Sequence, residues 1–85
     1  MPTRPDQNDP DRVAAWVRTR HEVGSRIRTI RLRSEMTQEA LALASGVTRN
    51  VLIDVEHGRR GLLYERLYDI ADALKVPISD ILDSR

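Results

Sequence analysis

Two short apolar segments, TQEALALASG and VTRNVLIDVEHG, lie back to back over residues 37–58 and constrain the fold more than anything else in the chain. Thr37 is a favourable N-cap, and Glu39 in the first turn suits the positive end of a helix. The pattern predicts a helix over 38–45, stopped by Gly46 as a residue that tolerates positive φ. Val47 bridges to Thr48, a second N-cap, and a helix over 49–57 follows and ends at Gly58. Leu52 and Val55, three residues apart, face inward. A connection this short forces the two helices to cross closely. Ala42 and Gly46 are small where the crossing would fall, and Val47 is apolar and would plug the turn. Thr48, Arg49, Asn50, Ile53 and Asp54 then lie off the buried side of the outer helix, free to enter a DNA major groove.

The flanking sequence reads as further helix. Residues 1–10 hold three of the four prolines and almost nothing apolar, so they are expected to form a flexible arm. From 11 to 33 only Gly24 interrupts a helical pattern in which Val13, Trp16, Val17, Val23, Ile27 and Ile30 form one stripe. This is one long helix or two meeting at Gly24, with Asp9 or Asp11 as cap and Pro10 in the first turn. Its polar face is basic, with seven arginines and one glutamate between Arg12 and Arg33. Residues 34–36 form a turn and 59–61 a loop. A fourth helix carries Leu63 or Tyr64, Leu67, Ile70, Ala71 and Leu74 on one face, and Pro77 forbids its continuation. Ser79 is expected to cap a last short helix containing Ile81 and Leu82. No alternating strand pattern or internal repeat occurs, so the chain reads as all-α.

A chain of 85 residues is expected to form one domain, over 11–85, and to bury only about 60–65% of its unfolded surface, so dimerisation would help it. It contains no cysteine, which excludes disulfides and thiolate metal sites. No apolar run approaches a membrane span and no signal-peptide pattern is present, so a cytoplasmic protein is expected. Net charge is only +1, but residues 1–60 carry 11 Arg/Lys against 8 Asp/Glu, and residues 61–85 carry 3 against 5. All but one of the cations are arginine, whose planar fork suits phosphates and base edges. His21 and His57 are far apart, and nothing pairs them with a nucleophile or metal ligands. No catalytic residues, metal or cofactor are expected, and the chain is not expected to be an enzyme.

The stretch 23–82 resembles the phage Cro/repressor-type helix-turn-helix family, also called xenobiotic-response-element regulators. The resemblance rests on VGSRIRTIR (23–31), TQEALA (37–42), the Gly46-Val47-Thr48 turn, Glu56 and Gly58, and LYDIADALKVPISDIL (67–82). It implies a five-helix, lambda-repressor-like domain, here with residues 11–22 as a helical extension. It also implies a homodimer on a palindromic double-stranded DNA operator, with half-sites about one DNA turn apart. Carried over, Gln38 contacts phosphate and braces the recognition helix, and Arg49 and Asn50 face base edges. Arg59 and Arg60 lie near the flanking backbone, and Glu56 pairs internally with Arg31. Tyr68, Ile78, Ile81 and Leu82 are the dimer candidates. Arginine bonds guanine O6 and N7 in bidentate fashion and asparagine adenine N6 and N7, each worth roughly 1–3 kcal/mol of discrimination. Small family members include phage repressors, antitoxins and controller proteins of restriction–modification systems. A repressor or autoregulator is therefore expected.

Several residues depart from the family pattern. Glu35 stands where glycine is usual, and a left-handed glutamate costs roughly 1 kcal/mol. Ile53 and Asp54 replace polar or basic readers. Ile53 is expected to meet a thymine methyl or a partner surface. Asp54 is expected to have a reduced base-reading role or to pair with an arginine. Leu43, Leu62 and Leu63 are unusually apolar; either the segment 13–17, with Trp16, packs back over them, or the dimer interface is wider. Together with the low net charge, these features support a second reading, a protein-interaction module of the same fold that reads DNA weakly.

Overall fold

The structure, a computed structural model, describes residues 9–83. Five helices follow in order: α1 (Pro10–Arg33), α2 (Gln38–Ser45), α3 (Arg49–Glu56), α4 (Tyr64–Leu74) and α5 (Ser79–Leu82). No strand occurs among the described residues, and the fold is all-α. Of the expected arm, residues 1–8 lie outside the described residues. Asp9 and Pro10 already belong to α1, where the Asp9 carboxylate accepts from the Asp11 amide at 2.9 Å. No described helix is long and apolar enough to cross a membrane.

The stretch 11–33 is one helix, not two. Gly24 is buried, and a Cβ there would overlap the Val55 carbonyl oxygen and come within 3.0 Å of the Glu56 carbonyl oxygen. The glycine thus serves the close approach of α1 to the end of α3, rather than a break.

The core joins Val23 and Ile27 of α1, Leu41 of α2, Val47, Leu52 and Val55, Ile70, Ala71 and Leu74 of α4, and Ile81 of α5. Ile27, Leu41, Leu52, Ile70 and Ile81 are fully buried, each worth roughly 1.5–3 kcal/mol of transfer free energy. Val47 plugs the α2–α3 turn as expected, at 5% exposure. Gly46 stops α2 through its left-handed φ of +76°, as expected, whereas its smallness at the crossing is not needed, since nothing lies within 4 Å of where its Cβ would be. The turn is completed by Ser45, whose buried hydroxyl accepts from the Val47 amide at 3.2 Å.

Five expectations are corrected. Ser79 is the first residue of α5, not its cap; Ile78 occupies the cap position and makes no side-chain capping bond. Helix α3 ends at Glu56, with His57 as its C-cap. Neither Leu63 nor Tyr64 faces inward, at 72% and 62% exposure; Leu62 packs on the core instead. Residues 13–17 do not fold back over the leucines. Helix α1 continues straight past the core, leaving Trp16 43% exposed while Leu43 and Leu63 stay open. Ile81, a dimer candidate, is fully buried within its own chain. It is held there by hydrophobic packing and by Arg26, whose Nη1 donates to the Ile81 carbonyl oxygen at 3.0 Å and so ties α5 to α1.

Candidate nucleic-acid interface

Helix α3 is short, so its orientation depends on how both of its ends are held. At its start, the Thr48 hydroxyl accepts from the Val51 amide at 3.4 Å, and the Thr37 hydroxyl does the same for Ala40 of α2 at 3.0 Å. At its end, Glu56 is buried and fully partnered. Arg31 Nε and Nη2 donate to its two carboxylate oxygens at 2.7 and 2.9 Å, and Gln38 Nε2 donates to one of them at 3.2 Å. Arg31 Nη1 also donates to the Met36 carbonyl oxygen at 2.9 Å. The expected Arg31–Glu56 pair is present, and the bracing expected of Gln38 runs through it. A bidentate pair with its remaining donors satisfied can carry the cost of burying two charges.

Thr48, Arg49 and Asn50 are exposed on the outer side of α3, and Ile53 and Asp54 are half-buried beside them. Arg49 lies 3.8 Å from Glu39, with both side chains more than half exposed. That distance is too long for a hydrogen bond and such a surface pair is worth little, so Arg49 is free to reach a ligand. Asp54 is engaged within the chain, as one of its expected readings required. Its carboxylate accepts from Arg59 Nε at 3.0 Å, and its carbonyl oxygen accepts from the Arg59 amide at 2.8 Å. The pair neutralises Asp54 and fixes Arg59 beside the end of α3. Arg60 is exposed, and its side chain reaches only the neighbouring Gly61 carbonyl oxygen, at 3.5 Å.

An open depression beside α3 gathers Arg28, Gln38, Glu39, Arg49 and His57, together with the paired Arg31 and Glu56. The first turn of α2 opens into it, so the positive helix end, Arg28 and Arg49 face the same space, with the Glu39 carboxylate among them. Sequence reasoning missed Arg28. The signal was available, because Arg28 precedes Arg31 by three residues and shares its face of α1. It also missed that His21 covers Gly58 at the end of α3. The Nδ1 of His57 lies 2.8 Å from the Ile53 carbonyl oxygen, which only accepts, so this nitrogen carries the proton. Among the dimer candidates, Tyr68 and Leu82 are exposed, Ile78 is half-buried and Ile81 is core. No cluster of three or more His, Asp or Glu able to hold a metal occurs among the described residues.

Residues 27–81 match the family described as Helix-turn-helix. Over 56 residues the chain is 45% identical to an uncharacterized transcriptional regulator in the ATPase CF(0) region of Rhodospirillum rubrum, covering 66% of this chain but only 52% of that relative. It is 38% identical over 61 residues to the control protein C.BamHI of Bacillus amyloliquefaciens, covering 71% of this chain and 75% of the other. Its fold superposes on the crystal structure of the restriction-modification controller protein C.AhdI from Aeromonas hydrophila with a TM-score of 0.71. That match has 29% identity and covers 73% of this chain and 94% of the other.

Proposed function

The chain belongs to the helix-turn-helix family, among its Cro/repressor-type DNA-binding transcriptional regulators, and from that premise we propose that it is a homodimeric, non-enzymatic repressor or autoregulator acting in the cytoplasm on a palindromic operator. One observation carries the reading. The outer face of α3 presents Arg49 and Asn50 exposed, Arg49 with only a weak surface approach to Glu39, while Glu56 is locked to Arg31 and Gln38 behind it. Arg49 and Asn50 read base edges, and Thr48 and Ile53 make the neighbouring groove contacts. Gln38, Arg59 and Arg60 hold the phosphates, and Asp54 acts by positioning Arg59. Similarity to two controller proteins supports a small regulator of this kind.

Selection of bound sites from random double-stranded DNA tests the proposal. A two-fold symmetric consensus is expected, with half-sites about 10 base pairs apart. Arg49→Ala relaxes one position per half-site, at a cost of about 1–3 kcal/mol for the preferred base. Absence of any binding at low salt sinks this reading. It would favour the alternative, a protein-interaction module that reads DNA weakly, which the open Leu43 (87% exposed) and Leu63 motivate.

A further inference from the structure

The first three turns of α1 carry a strip that the fold leaves uncovered. Val23 and Ile27 bury the α1 stripe in the core, and the same stripe runs on toward the N-terminus as Trp16, flanked by Val13 and Val17, all between 36% and 43% exposed. Arg12 and Arg20 stand four residues to either side of Trp16, on the same side of the helix. Neither forms an ion pair among the described residues, and the buried Nε of Arg20 has no hydrogen-bond partner. The strip is therefore apolar at its centre and basic at both ends.

Helix α4 carries the complementary strip on its outer side. Tyr64, Tyr68 and Asp72 recur every four residues, with both rings more than half exposed. Glu65 and Asp69 flank them. Among the described residues Arg66 pairs with Asp69 at 3.3 Å, and Glu65 and Asp72 have no cation. Helix α4 has 11 residues, the same length as residues 10–20 of α1.

We propose that the N-terminal half of α1 from one copy packs across the outer face of α4 of a second copy, Trp16 against Tyr64 and Tyr68, with Arg12 and Arg20 toward the acidic flanks. This rests on the homodimer reading above and names the contact that makes it. The occupant is a second copy because one chain carries both halves of the match, opposite in charge and both apolar at the centre. DNA fits neither strip, since phosphates gain nothing from Val13, Trp16 and Val17 and are repelled by Glu65 and Asp72. Under two-fold symmetry the contact forms twice. Stacking of aromatic rings and arginine over tyrosine adds to the area buried.

Trp16 is the only tryptophan in the chain, so it reports the contact directly. The full chain is diluted across the range in which sedimentation shows dimer passing to monomer, with tryptophan emission and acrylamide quenching followed in parallel. Emission is expected to shift to longer wavelength, and quenching to rise, as dimer dissociates. Arg12→Glu weakens dimerisation about tenfold, because two attractive contacts become repulsive. Adding Arg20→Glu, Glu65→Arg and Asp72→Arg to the same chain reverses every charge of the match and restores it, with unchanged helical circular dichroism throughout. A dimer whose dissociation leaves Trp16 emission and quenching unchanged overturns this contact while leaving the homodimer intact. A chain that stays monomeric at every concentration removes both.

Discussion

Glu56 illustrates how much one side chain decides in so small a domain. Its carboxylate has no exposure and Arg31 very little, so each charge depends on the other. Glu56→Leu leaves a buried guanidinium unpaired and costs about 3–5 kcal/mol, a large part of the 5–15 kcal/mol typical of a domain. Arg31→Met combined with Glu56→Leu removes both charges and recovers more than half of that loss, as urea denaturation will show. Recovery stays incomplete because the Met36 carbonyl oxygen loses its Arg31 donor and Gln38 its acceptor. A double variant no more stable than Glu56→Leu would falsify this account. The pair was readable in advance from its place in the family pattern, and the Asp54–Arg59 tie as one of two readings. The crossing at Gly24 was not, because a glycine required by close approach and one that breaks a helix look alike until the neighbouring carbonyl is placed.

Where helices stop, sequence and backbone agree less evenly. Three of the ends share one hydrogen-bond pattern. The amides of Met36, Arg59 and Val76 each reach back five residues, and those of Glu35, Gly58 and Lys75 reach back three. In each case the residue between stands in the left-handed region, at φ of 57° for Glu35, 73° for Gly58 and 60° for Lys75. The glycine end declared itself in the sequence, and Glu35 did so through the family pattern. Lys75 did not, because Pro77 was sufficient reason for α4 to stop, and the actual stop falls two residues earlier. Glu35→Gly and Lys75→Gly relieve left-handed strain of about 1–2 kcal/mol and add back some unfolded-state entropy. Each is therefore expected to stabilise by about 0.5–1 kcal/mol, a rise of a few degrees in Tm by calorimetry. Gly46→Ala has the opposite sign, since φ there is +76° and the turn that aims α3 depends on it.

The balance of charge over the whole molecule looks unpromising for DNA at +1, yet its distribution does not. Arg28, Arg49, Arg59 and Arg60 belong to or adjoin α3, whereas most carboxylates of the second half stand on α4 and α5. Two acids near the reading face are neutralised within the chain, Glu56 by Arg31 and Asp54 by Arg59, while Glu39 stays exposed 3.8 Å from Arg49. A phosphate approaching α3 therefore meets an excess of arginine, with Glu39 an exposed carboxylate beside Arg49. Each phosphate neutralised contributes about −0.9 to the slope of log affinity against log salt. In a dimer, Arg60→Ala removes one such contact from each protomer, so the slope should become shallower by about two while the preferred sequence stays the same. Arg59→Ala should weaken binding more than Arg60→Ala at every salt concentration, because it also leaves the Asp54 carboxylate facing the duplex without its partner. Affinities of the two variants measured over a salt series decide the matter: equal losses would mean that the Asp54–Arg59 pair faces solvent rather than DNA, and an unchanged slope for Arg60→Ala would place that loop away from the phosphates.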